Sequence, residues 1–333
     1  MAKYFLGADV GGTKIHVILA DEKGLVVGFG AGGPGNHESV GYAEFQTNLQ
    51  QAVHTALHSA HLTVDSITAA GFGVGGYDWP SEQAPTLRVI DSLHLGGTVQ
   101  LVNDTELGLW VGSPRMWGIA VVSGTGCNCR GWDATHTHFG RVTGGGISFG
   151  ENAGAVELVA HTGEILAHAW TGRGPATALA AAFCEHYRVK DLGELLQGLI
   201  CRDFSLCAAD APLVFDVASQ GDPVAIEIVS WAGRELGEMV CAVIRQLHFE
   251  TVDFDLVQIG SMWSGSPLLT EEMKKLVHAL APGAHIIRTH EPPAIGAVLL
   301  AMQGAGIQPA PEVRATMIKT LPLARQKSDH KTA

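Results

Sequence analysis

The chain has 333 residues and a hydrophobic content of 46%, which is enough to form the cores of about two domains. Its formal net charge of -12 excludes a surface that binds nucleic acid or an anionic membrane, because no block of Lys or Arg offsets the acidic residues. The sequence has no apolar run long enough to span a membrane, and its six cysteines form no CxxC pair. Because the first predicted strand follows Met1-Ala2-Lys3 directly, we expect no secretion signal. We therefore expect a cytoplasmic protein with reduced thiols and small-molecule partners.

The first predicted element is a β-hairpin whose two strands flank the turn Asp9-Val10-Gly11-Gly12-Thr13-Lys14. Gly11 and Gly12 lack side chains that would hold the backbone away from a ligand, and their amides can converge on phosphate oxygens with the Thr13 hydroxyl. Asp9 is suited to hold Mg²⁺ through water, because that ion prefers carboxylate oxygen and retains part of its hydration shell. An ordinary Gly-Gly hairpin fits the same pattern.

The rest of the first half predicts an α/β lobe with a carboxylate at a strand end. The predicted elements are a strand at 25–31, a helix at 40–61, a strand at 67–74 that closes at Gly75-Gly76-Tyr77-Asp78, and a strand at 99–102. The last strand runs directly into Asn103-Asp104, and the ends of strands in α/β sheets project side chains into ligand sites. Asp104 is therefore a catalytic candidate, although it can equally cap a helix at 106–111.

The pattern restarts at Trp117, where a strand, the turn Ser123-Gly124-Thr125-Gly126 and a second strand repeat the opening hairpin. Two such hairpins facing each other would clamp a polyphosphate between two lobes. Cys127 and Cys129 alternate along the second strand, which favours buried structural thiols.

The remaining segments are assigned by glycine content and helical periodicity. The glycine-dense stretch 143–155 suits either a substrate loop or a tight loop packed under the helix that follows it. A mainly helical insertion at 175–221 precedes a long helix that Asp222-Pro223 begins, and a buried strand at 254–259 ends at Gly260-Ser261, where a flat ring or a sugar can approach the backbone. The polar tail from Gln303 is expected to be loosely ordered.

Five short motifs in this order resemble the N-acetylglucosamine kinase family, and the resemblance covers residues 4–302. That family belongs to the sugar kinase, chaperone and actin superfamily, together with the ATPase activators of benzoyl-CoA reductase and 2-hydroxyglutaryl-CoA dehydratase. The motifs are Asp9 to Lys14, Asn36-His37, Asn103-Asp104, Ser123 to Gly126 with Asn128-Cys129-Arg130, and Gly260-Ser261-Met262-Trp263.

The resemblance implies an α/β fold of two ribonuclease-H-like, actin-like ATPase lobes with ATP, Mg²⁺ and an amino sugar in the cleft between them. The N-terminal lobe would comprise residues 1–114, and the C-terminal lobe would comprise residues 115–302 with the helical insertion at about 175–221. Residues 303–333 would form the polar tail. Relatives of this kind also suggest a homodimer.

The same resemblance implies a role for each matching residue. Asp104 would be the general base for the 6-hydroxyl of the sugar, and Asp9 would hold the metal. The first phosphate loop would be Gly11, Gly12, Thr13 and Lys14, and the second would be Ser123, Gly124, Thr125 and Gly126. Gly260 and Ser261 would bind adenosine. The sugar would contact Asn36, His37, Asp78, Asp104, Gly145, Gly146 and Glu151.

One loop departs from the family pattern. Where the family commonly has Gly-Trp-Gly and then Gly-Asp-Glu-Gly, this chain has Gly144-Gly145-Gly146 and then Gly150-Glu151-Asn152-Ala153. N-acetylglucosamine is the first choice of acceptor, with glucosamine, N-acetylmannosamine and N-acetylmuramic acid as alternatives. An ATPase activator of a CoA-ester dehydratase or reductase, and a catalytically silent sugar sensor, are the alternatives from other classes.

Overall fold

The computed structural model describes residues 2–332, with side chains described up to Arg325, and the predicted strands and helices lie close to their predicted positions. The strands are β1 (Tyr4–Val10), β2 (Ile15–Asp21), β3 (Val26–Gly32), β4 (Ile67–Val74), β5 (Thr98–Val102), β6 (Gly118–Ser123), β7 (Cys127–Trp132), β8 (Phe139–Arg141), β9 (Phe254–Ile259) and β10 (Ala284–Arg288). The helices are α1 (His37–Ala60), α2 (Gln83–Asp91), α3 (Leu107–Gly112), α4 (Ala155–Trp170), α5 (Leu179–Tyr187), α6 (Leu192–Cys201), α7 (Ala211–Ser219), α8 (Pro223–Leu247), α9 (Pro267–Leu280), α10 (Pro293–Gly304) and α11 (Pro311–Thr332).

The chain divides into two compact units, which are Met1–Ala120 with Ile287–Ala333, and Val121–Ile286. The sequence prediction instead ended the first lobe at residue 114 and assigned residues up to 302 to the second lobe. Helix α10 belongs to the first unit because it packs closely on that unit's sheet. A Cβ atom at Gly7 of β1 would lie 2.5 Å from the backbone nitrogen of Val298, so only glycine permits this approach.

The first unit is built on a five-stranded sheet with the order β3-β2-β1-β4-β5. Strands β1, β2 and β3 pair antiparallel, whereas β4 pairs parallel with both β1 and β5. Alternate residues of β1 face opposite sides, so Leu6 and Ala8 join the core under α1 while Gly7 faces α10. The parallel pairing brings the carboxyl ends of β1, β4 and β5 to one edge of the sheet.

The second five-stranded sheet has the order β10-β9-β6-β7-β8, which is the strand order of the first sheet repeated. The repeat that the two hairpins predict is therefore confirmed. Helices α5, α6 and α7 form the predicted helical insertion. The start of α8 is also as predicted, because the Asp222 carboxylate accepts hydrogen bonds from the backbone N–H groups of Val224 (3.0 Å) and Ala225 (2.9 Å).

Residues beyond the end of α10 differ from the prediction of a loosely ordered tail, because they form α11 on the outside of β3. Met317 and Leu321 lie one helical turn apart and are buried, so this otherwise polar segment carries an apolar stripe. The Val26 N–H donates to the Thr320 hydroxyl at 3.1 Å, which ties the helix to β3. Over the described residues, none of these helices has the length and apolar character needed to cross a membrane.

We expect Met317→Ala to lower the free energy of unfolding by about 2 to 5 kcal/mol, because it opens a cavity under α11. Leu323→Ala is the matched control, since Leu323 is 58% exposed on the same helix, and it should change stability by less than about 0.5 kcal/mol. Urea unfolding of both variants measures the difference. Equal stabilities would show that α11 does not pack on β3.

Candidate active site

Two carboxylates lie at the carboxyl edge of the first sheet. Asp9 is the penultimate residue of β1, and Asp104 follows the end of β5 with Asn103 between them. Burial and the nearby Asp104 carboxylate raise the pKa of Asp9 to about 7, against the opposing effect of Lys14. The structure thus places the predicted metal ligand and the predicted general base close enough to interact electrostatically.

Asn103, and not Asp104, caps the short 3-10 turn that leads into α3. The Asn103 side chain accepts a hydrogen bond from the Thr105 N–H at 3.0 Å, and Asp104 Oδ1 accepts from the same group at 2.8 Å. Asp104 Oδ2 lies 3.0 Å from the place that a Cβ atom at Gly75 would occupy. Gly75 therefore leaves room for this carboxylate at the end of β4.

The first glycine-rich turn is held at its base and open at its tip. The Gly11 N–H donates to the Lys14 carbonyl, and the Gly35 N–H donates to the Gly11 carbonyl, both at 3.0 Å. Gly12, Thr13 and Lys14 are exposed, and a Cβ atom at Gly12 would meet nothing within 4 Å. A ligand can reach the backbone here, as the phosphate-loop prediction requires.

Asn36 and His37 begin α1 beside the same edge. Asn36 Oδ1 accepts from the Glu38 N–H at 2.8 Å and lies against Gly76, whose φ of +80° suits glycine. The His37 ring stacks on Tyr42 with centroids 4.4 Å apart. Its Nδ1 atom is buried and has no hydrogen-bond partner among the described residues, so a ligand group can satisfy it.

Asp78 is buried and lies close to the side chain of Asn103, the residue before the candidate base. The Asn103 side-chain amide donates to the Tyr77 carbonyl at 3.2 Å and lies 3.5 Å from Asp78 Oδ1. Glu82 was missed by the sequence analysis, although its carboxylate accepts the N–H groups of Asp78 and Trp79, both at 2.7 Å. The sequence signal that could have found Glu82 is its position two residues after Pro80, because proline and acidic residues are both common in the first turn of a helix.

The second glycine-rich turn is fixed to the start of α4. The N–H groups of Ala155 and Val156 donate to the carbonyls of Gly124 (2.9 Å) and Thr125 (3.0 Å), while Thr125 itself stays exposed. Ser123 differs from its predicted role, because its side chain is fully buried and its hydroxyl donates to the Ala153 carbonyl at 2.5 Å. A phosphate contact from Ser123 can therefore involve only its backbone.

Glu151 anchors the loop that departs from the family pattern. Its Oε1 atom accepts hydrogen bonds from the Thr143 N–H (2.7 Å) and hydroxyl (2.8 Å), and the Gly145 N–H donates to that hydroxyl at 3.1 Å. The Oε2 atom is buried without a hydrogen-bond partner among the described residues. One carboxylate oxygen therefore stabilises the loop, as the tight-loop interpretation predicts. The other remains available to a ligand donor, as the substrate-loop interpretation requires. Gly146, earlier in the same loop, has a left-handed backbone conformation with a φ of +55°.

Ser261, which follows Gly260 at the end of β9, lines a cavity of about 410 Å³ in the second unit. Gly260 has a φ of +107°, and any side chain there would collide with the Ser123 carbonyl. Ser261 lines the cavity with Pro212 and Phe215 of α7. No local sequence signal marks Pro212 and Phe215, because only the packing of the helical insertion brings α7 beside the end of β9.

The cysteines of β7 are buried, as predicted. Burial raises the pKa of the Cys127 thiol to about 12 and that of Cys129 also well above its ordinary value, so neither is a ready nucleophile. Cys201 and Cys207 are exposed, and all six cysteines are free thiols. The described residues contain no cluster of three or more His, Cys, Asp or Glu side chains that could hold a metal alone.

The repeated sheet order and the paired glycine-rich turns define an actin-like ATPase fold. A family model matches residues 6–301, and the chain belongs to the BadF/BadG/BcrA/BcrD ATPase family. The solved structure of a candidate N-acetylglucosamine kinase from Chromobacterium violaceum has the same fold, with a TM-score of 0.70 and 20% identity, over 90% of this chain and 98% of that one.

Two curated relatives match nearly the whole chain. The N-acetylmuramic acid/N-acetylglucosamine kinase of Clostridium acetobutylicum is 26% identical over 306 residues, which cover 90% of this chain and 98% of the relative. The N-acetyl-D-glucosamine kinase of Dictyostelium discoideum is 23% identical over 315 residues, which cover 90% and 97%. The predicted resemblance is confirmed.

The raised pKa of Asp9 predicts an effect of pH on stability without ligands. The folded chain binds a proton at Asp9 more tightly than the unfolded chain, so the stability contributed there is full below about pH 4 and is lost as the pH rises through 7. Asp9→Asn should therefore be more stable than the parent by about 2 to 4 kcal/mol at pH 8 and about equally stable near pH 4.

Denaturant unfolding at the two pH values measures this difference. Asp91→Asn is the control, because Asp91 is exposed on α2 in the same unit, and it should show no such dependence. A loss of stability in Asp9→Asn at pH 8 would contradict the prediction.

Proposed function

We propose that this protein is an ATP-dependent kinase that transfers a phosphoryl group to the 6-hydroxyl of an amino sugar, with N-acetylglucosamine as the first choice of acceptor. The observation that carries the proposal is the pair of carboxylates at one sheet edge, Asp9 and Asp104, beside the small residue Gly75. Phosphoryl transfer to an alcohol requires a carboxylate that accepts the hydroxyl proton and a second that holds a metal near the phosphates.

In the proposed mechanism, Asp104 accepts the proton of the attacking hydroxyl. One of its oxygens is oriented by the Thr105 N–H, which fixes the carboxylate, and the position of Oδ2 against Gly75 keeps the group at the strand end. A positioned general base contributes on the order of 10² to 10⁴-fold to such a reaction. The turn Gly11 to Lys14 and the backbone of residues 123–126 would bind the phosphates of ATP, and the cavity at Ser261 would bind its adenosine.

The residues present fit Mg²⁺ bound with a nucleotide. That ion commonly takes one or two protein carboxylates together with substrate phosphates and water, so a dedicated protein cage is not needed. The raised pKa of Asp9 supports the assignment, because a cation there would offset both the burial of the carboxylate, which is the main cause, and the repulsion from Asp104. When bound, Mg²⁺ would neutralise charge on the phosphates.

Recognition of the amino sugar would involve polar groups that the fold leaves unsatisfied. Glu151 Oε2 and His37 Nδ1 are buried acceptors or donors without partners among the described residues. Each would gain a hydrogen bond from a sugar hydroxyl or acetamido group, and leaving such groups unpaired costs about 1 to 3 kcal/mol. Asn36, Asp78, Gly145 and Gly146 are the further proposed sugar contacts.

The names of both curated relatives include N-acetylglucosamine, which supports that sugar as the first acceptor to test. One of the two names also includes N-acetylmuramic acid, so that sugar stays an alternative together with glucosamine and N-acetylmannosamine. We further propose a homodimer in the cytoplasm, and the absence of disulfides among the six cysteines supports a reducing compartment.

A coupled ADP-release assay across hexoses and amino sugars tests the function, with a sample without sugar to measure bare ATPase activity. We expect ADP release to depend on sugar, with the highest kcat/KM for N-acetylglucosamine or N-acetylmuramic acid. Sugar-independent release would favour the ATPase-activator alternative. Binding of sugar without ADP release would favour the silent sensor, and either result would reject the kinase.

Asp104→Asn should retain nucleotide binding and lose at least about 10²-fold in kcat, because the amide cannot accept the proton. The exposed Asp91→Asn variant should retain both properties. Turnover and nucleotide affinity, measured on the same preparations, distinguish a chemical defect from a folding defect. Unchanged turnover in Asp104→Asn would remove this residue from the mechanism.

A further inference from the structure

A cavity of about 740 Å³ lies in the first unit and contains none of the residues proposed above for catalysis or substrate binding. It forms where the end of α3 and the loop that follows meet α10 and the start of α11. Its volume is within the range of about 300 to 1,000 Å³ that is typical of small-molecule sites. The cavity is therefore large enough for an organic ligand.

The walls of this cavity are mostly apolar. Trp110 of α3 and Leu299 of α10 are buried and form its inner surface, while Met116 and Ile318 are half-buried on its sides. Met116 has a φ of +58°, a left-handed conformation that is uncommon for residues other than glycine and that often marks functional positions. An occupant would need an apolar body to contact these side chains.

Arg314 is the charged residue among the described residues that line the cavity. Burial lowers the pKa of its guanidinium, and the negative charge of Glu291 acts in the opposite direction. The guanidinium makes no hydrogen bond or ion pair with any residue whose side chain the structure describes. Because this partly desolvated cation interacts with Glu291 through charge alone and makes no hydrogen bond or ion pair with the described side chains, an anionic group is favoured at this wall.

The start of α11 adds to the same electrostatic preference. The helix begins at Pro311, which lines the cavity one turn before Arg314. Pro311 has no N–H and the Val313 N–H donates to the Ala310 carbonyl at 3.0 Å, so this helix start contributes the positive end of the helix dipole rather than a set of free donors. Glu312 lies in this turn but is exposed and does not line the cavity.

We propose that this cavity binds a small amphipathic acid, with its apolar body between Trp110, Leu299 and Ile318 and its carboxylate on Arg314. A free acid fits better than a protein partner, because the apolar surface is concave and its inner residues are buried. Among the residues of the first unit whose side chains are described, the exposed large hydrophobic ones lie outside the cavity, and they are Leu25, Trp79 and Leu323.

Isothermal titration calorimetry with decanoate, below its micelle concentration, tests the proposal on the full chain. Decanol supplies the same apolar body without the charge, and decyltrimethylammonium supplies the opposite charge. We expect decanoate to bind about tenfold more tightly than decanol, as one charge-assisted interaction predicts, and the ammonium to bind more weakly than either.

Variants of α11 locate the site. Arg314→Gln should weaken decanoate binding about tenfold and leave decanol binding unchanged. Lys319→Gln is the matched control, because Lys319 is exposed on the same helix and does not line the cavity, and it should leave both unchanged. Ala315→Phe, which fills the cavity, should abolish binding of both ligands. ATP affinity, measured on every variant, confirms that the chain is folded.

Three results would overturn the proposal. These are equal affinities of decanoate and decanol, undiminished decanoate binding by Arg314→Gln, and the absence of decanoate binding to the parent protein. If Arg314→Gln does not fold, Arg314→Lys serves instead. Because it retains the charge, it should preserve the preference for decanoate over decanol, and loss of that preference would also contradict the proposal.

Discussion

The close approach of two carboxylates at one sheet edge is the constraint on which the candidate site depends. In the first sheet β4 lies between β1 and β5, so the ends of these strands can bring Asp9 and Asp104 together only across β4. Gly75, directly after β4, has no side chain to separate them. The resulting repulsion contributes to the raised pKa of Asp9, and this fold therefore carries an unfavourable interaction that a bound cation would relieve.

The two units share a strand order but use their glycine-rich turns differently. In the first unit Thr13 is exposed beside Gly12, so its side chain and the backbone can both face a ligand. In the second unit the Ser123 side chain is directed inward to the Ala153 carbonyl, and the turn is held by the first N–H groups of α4. A similar sequence pattern thus gives donors of different kinds, and backbone groups dominate in the second turn.

Most of the fold could be predicted from local patterns, because apolar residues recur at regular spacings along the buried strands and the amphipathic helices. The capping of α8 by Asp222 followed from a single dipeptide. The role of Asn103 did not follow, because Asn103 and Asp104 are both good caps and the choice depends on which side chain lies over the Thr105 N–H. Glycine-rich motifs located the turns, but they could not show that the Ser123 hydroxyl is buried.

The segments that sequence reasoning missed are those whose structure depends on tertiary packing. Helix α11 carries only a narrow apolar stripe, so its sequence resembles a polar tail, and Met317 is buried only because the helix packs on the first unit. Helix α7 lies within the predicted helical insertion, but its place beside Ser261, where Phe215 lines the cavity, did not follow from the sequence. Both cavities are lined by residues far apart in sequence, and a local sequence pattern cannot predict that such residues come together.

The orientation of Asp104 depends finally on how α3 packs. All six residues of α3 are buried, and a side chain at Gly296 of α10 would collide with the Leu107 carbonyl, so the two helices approach with no room between them. Asp104 precedes α3 at one end, and Trp110 lies near the other. Because a helix of two turns held by buried contacts moves as a unit, the packing that forms the apolar cavity also fixes the position of the candidate base.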